Sequence, residues 1–380
     1  MRRLRFLFVD PFFAGSHRAF AEGLAGHSRH EFVFLGLPGG EWRRRMRLGA
    51  QELARDSQAI AGPFDAVVAT DMLDLPTFLG LTRPRFERTP VLVYFHENQL
   101  TYPRIRGTKL NSWFGAMNYL STLVADRVAF NSAFHRNDFL DALRTLEREP
   151  QNWLDGEGIA VIEAKAGVLP VGVDLGWAAG PVGREPRGEA PLLVWNHRWE
   201  FDKAPDVFAR VLLRLAGEGV AFRVAIAGDP GPNPHPAMAE LRDGLGGRVI
   251  QFGLAPDVTD YHALLRAADI AVSTTRHEFF GIGMVEAMAA GCIPIAPERY
   301  NYPALVPDAL HRDCLWGDEA AFEAQLREMI ALVASGAAEP LRGQLHTAAL
   351  RYQWPVVARE WDEALERLTV PDKSDSKSVR

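Results

Sequence analysis

The sequence predicts an α/β protein made of two Rossmann-like, doubly wound domains facing each other across a cleft. Three observations carry this. Short strand-like runs are almost continuously apolar, longer helical patterns alternate with them, and one break divides the 380 residues into halves of similar size. Unbroken apolarity, rather than alternation, is what a parallel sheet covered on both faces requires, and repeated strand–helix units build such sheets. The strands read as Leu4–Asp10, Phe32–Leu37, Ala66–Thr70, Val91–His96 and Val128–Asn131 in the first half. In the second they read as Leu192–Asn196, Val224–Ala227, Val249–Phe252, Ile270–Thr274 and Ile293–Ala296. Helical spacing marks Ala133–Leu146, Ala204–Leu215 and Asp257–Ala268. The Gly-, Pro- and charge-rich stretch Gly180–Pro191 reads as a linker, which sets the domains at 1–180 and 191–350. Trp354–Leu368 reads as an amphipathic helix with Val357, Trp361, Ala364, Leu365 and Leu368 on one face. The polar segment 371–380 reads as a disordered tail.

Composition narrows the function. At 47% hydrophobic and 24% charged the chain is ordinary for a globular protein. No apolar run approaches the ~20 residues of a membrane span, so no integral membrane association is expected. The opening Met1–Asp10 is basic then apolar like a signal peptide, but it stops at Asp10-Pro11 without a small-residue cleavage site and reads as the first strand. Two cysteines, Cys292 and Cys314, are too few for a disulfide framework or zinc site, which points to a reducing, cytoplasmic compartment. The net charge is −6, yet residues 1–120 hold 16 Lys/Arg against 11 Asp/Glu. Arg43, Arg44, Arg45, Arg47, Arg83, Arg85, Arg88, Arg104, Arg106 and Lys109 could form a basic face or simply a solvated one.

In doubly wound sheets ligands bind beyond the carboxyl ends of the strands, so the loops there hold the candidate residues. After the first strand, Gly15 and Ser16 open a helix whose backbone N–H groups suit an anion, or form a plain turn with a serine cap. After the fourth, His96-Glu97-Asn98-Gln99 places four polar groups beyond a buried strand end, each needing partners if desolvated. After the first strand of the second half, Arg198 and Lys203 flank a strand-to-helix turn. Two cations beside a helix N-terminus suit a leaving pyrophosphate, unless they merely pair with Glu200 and Asp202. Glu278 and Glu286 are eight apart, with Gly281 and Gly283 between them ahead of a helix at Met284–Ala290. Carboxylates so placed could accept from different hydroxyls of one ligand. The D-x-D metal motif, the nucleophile elbow, the Walker lysine and zinc spacings are all missing from the sequence, so no metal or other cofactor is expected.

These motifs resemble the retaining, metal-independent GT-B glycosyltransferases of family 4. Within that group, Phe13–His17, Tyr94–Leu100, Val128–Phe134, Trp195–Glu200 and His277–Gly281 are similar to the tRNA-queuosine α-mannosyltransferases, over roughly residues 4 to 368. The resemblance implies a nucleotide-sugar donor, GDP-mannose, and transfer of mannose to the cyclopentenediol of queuosine in the anticodon of tRNA-Asp. It implies that Arg198 and Lys203 hold the diphosphate, and that Glu278 with the amides of Phe280, Gly281 and Ile282 orients the mannose. Glu286 would take the ribose diol, Gly15 and Ser16 the donor phosphate, and His96 would stand beside the reacting carbon. The closing helix, 351–368, would pack back on the first domain. Ala14 stands where this family often has a second Gly, and Phe279 where the wider superfamily has a small residue. On this reading Trp42 with Arg43–Arg45, and Tyr102 with Arg104 and Arg106, would meet the phosphates and unstacked bases of an anticodon arm. The alternative acceptor is a lipid-linked or cell-envelope glycan, with Glu41–Leu53 acting as a basic amphipathic membrane helix.

Overall fold

Valine, isoleucine, leucine and phenylalanine runs of two to six residues supply the strands seen in the computed structural model. It describes residues 2–103, 112–149, 154, 156–180, 182 and 190–370. Among these, the chain separates into two compact units, one of residues 2–102, 112–172 and 354–370 and one of 103 and 173–353. The first unit carries β1 (Arg5–Asp10), β2 (Glu31–Gly36), β3 (Ala66–Thr70), β4 (Val91–Phe95), β5 (Arg127–Phe130) and β6 (Ala166–Val168). The second carries β7 (Leu192–Trp195), β8 (Arg223–Ile226), β9 (Val249–Phe252), β10 (Ile270–Val272), β11 (Ile293–Pro297) and β12 (Leu315–Trp316). Each set forms one parallel sheet, ordered β2-β1-β3-β4-β5-β6 and β12-β11-β10-β7-β8-β9. Strands β3, β4 and β11 are buried along their whole length, as unbroken apolar sequence requires.

Both orders reverse direction once, between β1 and β3 in the first sheet and between β7 and β10 in the second. Such a switch point parts the loops of two neighbouring strands, and it is where open α/β sheets take their ligands. Asp10 closes β1 and Asp71 follows β3. The turn to Lys203 follows β7, and Glu278 lies beyond β10.

The final helix, Trp354–Thr369, belongs to the first unit and buries Trp354, Val357, Ala358, Trp361 and Leu365. The fully buried Trp361 ring meets Tyr94 at 4.7 Å and Phe20 at 5.4 Å, and its indole Nε1 donates to the Pro170 carbonyl at 3.2 Å. The neighbouring Asp362 accepts from the Ser28 hydroxyl and from the Arg29 amide. Deleting so large a buried ring costs about 3–5 kcal/mol. Trp361→Ala is therefore expected to lower the urea midpoint strongly, with the unpartnered Pro170 carbonyl adding to the loss. A midpoint within error of the parent would contradict this packing.

Candidate active site

In the second unit, β7 leads through Asn196–Glu200 into the short turn Phe201–Lys203 and then the helix Pro205–Gly217. The exit of β10 fastens that turn. The Thr274 hydroxyl donates to the Lys203 carbonyl at 2.9 Å, and the Thr275 hydroxyl to the Asp202 carbonyl at 3.0 Å. Lys203 Nζ then lies 3.1 Å from Asp202 Oδ2 and 3.3 Å from Glu278 Oε2, and it donates to the His277 carbonyl at 3.3 Å. Burial alone would lower the Lys203 ammonium. The charge of Glu278 and then of Asp202 outweighs it, so the group is raised and stays a cation. Burial likewise pushes Glu278 up, but the Lys203 charge, followed by His197, holds it below the ordinary carboxylate range. His197 and His277 are buried beside this pair and lowered to about 4, by burial first and by Lys203 next, so both are neutral.

Gly281 caps the helix Ile282–Ala289 at φ +97°, a left-handed conformation that glycine adopts without strain, and no side chain caps that helix end. The helix begins two residues earlier than its sequence pattern indicates. Phe280 is committed differently from Gly281 and Ile282, because its amide donates to Glu278 Oε1 at 3.4 Å. Arg198 does not join Lys203. Its side chain is 57% exposed and bonds Glu200 Oε1 at 2.9 Å, the local pair that the sequence allowed as the alternative. The second local pair, Asp202 with Lys203, is also present, but Lys203 bridges onward to Glu278. Glu286 lies apart from that bridge. Its Oε2 accepts from the Tyr261 hydroxyl at 2.8 Å, which accepts from Asn196 Nδ2 at 2.9 Å, and Asn196 also donates to the Gly283 carbonyl. Burial pushes Glu286 up to about 7 against that hydroxyl's donation. Tyr261 and Asn196 were not foreseen. Only the placement of Asn196 at the end of β7 hinted at them.

In the first unit the helix Gly15–His27 starts with Gly15 at φ +52° and is capped by Ala14, not by Ser16, again without a side-chain bond to its amides. The Ser16 cap considered above is therefore not formed. Ala14 is extended at φ −153°, a conformation alanine adopts without strain. The third helical residue, His17, bonds Asp10 Oδ2 through Nδ1 at 2.9 Å, while Asp10 Oδ1 accepts from the Phe12 amide and the Thr70 hydroxyl. His17 lies against His96 with ring centroids 4.3 Å apart. Phe20 and Tyr94 close on His96 edge-on, each at 4.8 Å, and the His96 amide donates to Asp71 Oδ1 at 2.9 Å.

Burial would lower His17, but the charge and hydrogen bond of Asp10 raise it to about 9. His96 is held well below the ordinary range by burial and by His17 beside it. Burial also raises Asp71. His96 Nε2 and Asp71 Oδ2 are buried with no hydrogen-bond partner among the described residues. Of the four polar groups after β4, Asn98 shapes the turn by accepting from the Leu100 and Thr101 amides, and Gln99 bonds Glu97. His96 joins the cluster at the switch point, and the Glu97 charge acts on His17 and Asp71 there. Asp10, His17 and Asp71 were not singled out from sequence, although a carboxylate ending an apolar strand was a usable signal at both Asp10 and Asp71.

The class follows from comparison with known proteins. Residues 190–332 match the family model described as glycosyl transferases group 1. The crystal structure of a glycosyltransferase from Rickettsia africae superposes over 98% of this chain and 100% of its own, with a TM-score of 0.68 at 14% identity. The protein is a glycosyltransferase with the GT-B class of fold. Residues 5–173 match the model described as tRNA-queuosine alpha-mannosyltransferase N-terminal. The tRNA-queuosine alpha-mannosyltransferase of Drosophila melanogaster is 34% identical over 79% of this chain and 81% of its own length. The chain belongs to the tRNA-queuosine α-mannosyltransferase family. A GDP-mannose:cellobiosyl-diphosphopolyprenol alpha-mannosyltransferase from Xanthomonas oryzae pv. oryzae (strain PXO99A) is 25% identical over 81% of this chain and 77% of its own. No helix among the described residues is long and apolar enough to cross a membrane.

Proposed function

We propose that the protein transfers mannose from GDP-mannose to queuosine in tRNA, retaining the anomeric configuration and using no metal. The family supports the reaction, since the Drosophila relative carries that activity in its name and the Xanthomonas relative names GDP-mannose as donor. The observation that carries the chemistry is Lys203, a half-buried ammonium kept charged by Glu278 and Asp202 at the switch point of the second sheet. Such a preorganised cation stabilises charge that develops on a departing diphosphate, typically by 10²–10³ in rate. Arg198, on its exposed side chain, leaves Glu200 to join it on the diphosphate. Glu278 and the amides of Gly281 and Ile282 orient the mannose hydroxyls, and Glu286 accepts from the ribose diol. Gly15 and Ser16 offer their amides to the donor phosphate, and His96 contacts the sugar.

In this reading the bond between the anomeric carbon and the phosphate oxygen breaks as the queuosine hydroxyl adds to the same face. The hydroxyl proton passes to the departing phosphate oxygen, so no carboxylate nucleophile is required. The test is incubation with GDP-[14C]mannose and queuosine-containing tRNA-Asp, followed by nucleoside mass spectrometry. A hexose added to queuosine, abolished by Glu278→Ala, is the expected result. Label appearing only in lipid extracts would replace the acceptor with a lipid-linked glycan.

A further inference from the structure

The basic segment after β2 folds as the helix Trp42–Ser57, and its arginines divide into two kinds. Arg44 and Arg45 both bond Glu52, at 3.1 and 3.3 Å, so one carboxylate offsets much of their charge. Elsewhere in the basic set, Arg85 is fully engaged in structure, its guanidinium donating to the Ser57 and Ile60 carbonyls. Arg104, Arg106 and Lys109 lie outside the described residues. Arg43 and Arg47 differ from Arg44, Arg45 and Arg85 in being both exposed and free of a carboxylate or carbonyl partner among the described residues. Each guanidinium lies over an aromatic ring. Arg43 sits 4.4 Å from the centroid of Trp42, and Arg47 sits 5.5 Å from that of Phe114. The two rings touch at 5.4 Å, which joins the four side chains into one strip.

That strip is continuous with the switch point of the first sheet. Trp42 and Phe12 both pack on the cluster of Met46, Met72, Phe114 and Met117. Phe12 in turn meets the His17 ring at 5.9 Å, and His17 lies on His96. The helix is not built for a lipid surface, because Met46, Ala50, Leu53 and Ala54 of its apolar face are buried in the unit's own core. Outward it presents the arginines and half-buried Trp42, with Leu48 as its one exposed large apolar side chain.

We propose that Trp42, Arg43 and Arg47, underlain by Phe114, form the platform on which a single-stranded RNA loop lays its unstacked bases and phosphates. This rests on the tRNA acceptor proposed above. Sequence-specific recognition of RNA relies on splayed bases stacking on aromatic rings and guanidinium planes, and the cations neutralise phosphates at the same time. The platform thus deepens the acceptor assignment: it keeps Trp42 and Arg43 from the sequence reading and puts Arg47 in place of Arg44 and Arg45, which bond Glu52.

The test measures queuosine-tRNA binding by gel shift across salt concentrations, with KM for tRNA and GDP-mannose binding measured on the same proteins. Arg43→Glu with Arg47→Glu is expected to weaken tRNA binding at least tenfold and to flatten the salt dependence by about two phosphate contacts. Donor binding should be unchanged. Trp42→Ala should weaken tRNA binding about 5- to 100-fold, as the loss of one stacked base does, and Trp42→Tyr should recover most of it. Arg44→Gln should shift binding less than twofold. Unchanged tRNA binding in the charge-reversed protein would overturn the platform, given a parent protein that modifies tRNA. Binding of the parent to phosphatidylglycerol vesicles, lost in the same variant, would also overturn it and assign the strip to membrane. A parent that transfers nothing to tRNA would instead remove the acceptor reading itself.

Discussion

Lys203→Met is expected to reduce mannosyl transfer by roughly 10³, the size of effect seen when a preorganised charge partner of the transition state is removed. Interpretation requires separating chemistry from folding, because Lys203 also neutralises Glu278 and Asp202. Removing one member of a fully buried ion pair costs about 3–5 kcal/mol, an upper figure here because the Lys203 and Glu278 side chains keep 12% and 20% of their exposure. The single variant should therefore be less stable as well as inactive. Glu278, whose depressed carboxyl owes most to Lys203, should titrate higher in it. Stability should then return in part as the pH is lowered and Glu278 takes up a proton. Combining Lys203→Met with Glu278→Gln removes that pair's two charges together and should restore the denaturant midpoint part of the way to the parent, Asp202 still lacking its cation. Activity should stay absent. If transfer returned along with stability, Lys203 would be a structural counter-ion and the diphosphate would have to be met elsewhere.

The sheets were legible because their strands are apolar throughout. Ala66–Thr70 and Val249–Phe252 have the boundaries the sequence indicates, and the other eight strands read from sequence differ by one or two residues at their ends. The two strands missed, Ala166–Val168 and Leu315–Trp316, are sheet edges of three and two residues, too short to show a pattern. The second-unit site was legible in part. Lys203 and Glu278 stood out as charged groups beyond strand ends, and the structure joins them although they are 75 positions apart. Whether Arg198 would turn to Glu200 or to its expected partner depends on rotamers of exposed side chains, which no spacing rule fixes. The first-unit cluster was harder to foresee. Asp10 with His17, and Asp71 with His96, converge only because β1, β3 and β4 are neighbours in the sheet. The basic helix showed the same limit from the other side: its charge was plain, but which arginines bond Glu52 and which lie on rings is a matter of helical phase and local partners.

Asp10→Asn should uncouple the histidine pair without changing its shape. In the folded parent Asp10 raises His17 to about 9, above the ordinary 6.5. A histidine whose folded value is raised binds its proton more tightly when folded. Its contribution to stability is thus complete below about pH 6.5 and is lost as the pH rises toward 9. A difference of that size corresponds to about 3 kcal/mol, an upper figure because the asparagine keeps the hydrogen bonds from Phe12 and Thr70. Thermal midpoints of parent and variant should differ most near pH 6 and converge above pH 9. Resonances of labelled histidine should show His17 titrating at or below the ordinary value in the variant. His96, relieved of a cation at ring-stacking distance, should move upward toward the ordinary range. If His96 must be neutral to meet the sugar, the acid limb of the transfer rate should shift to higher pH in the variant while KM for GDP-mannose holds. An equal stability loss at pH 6 and pH 10, with His96 unmoved, would show that Asp10 acts only by packing and that His17 is not charged at neutral pH.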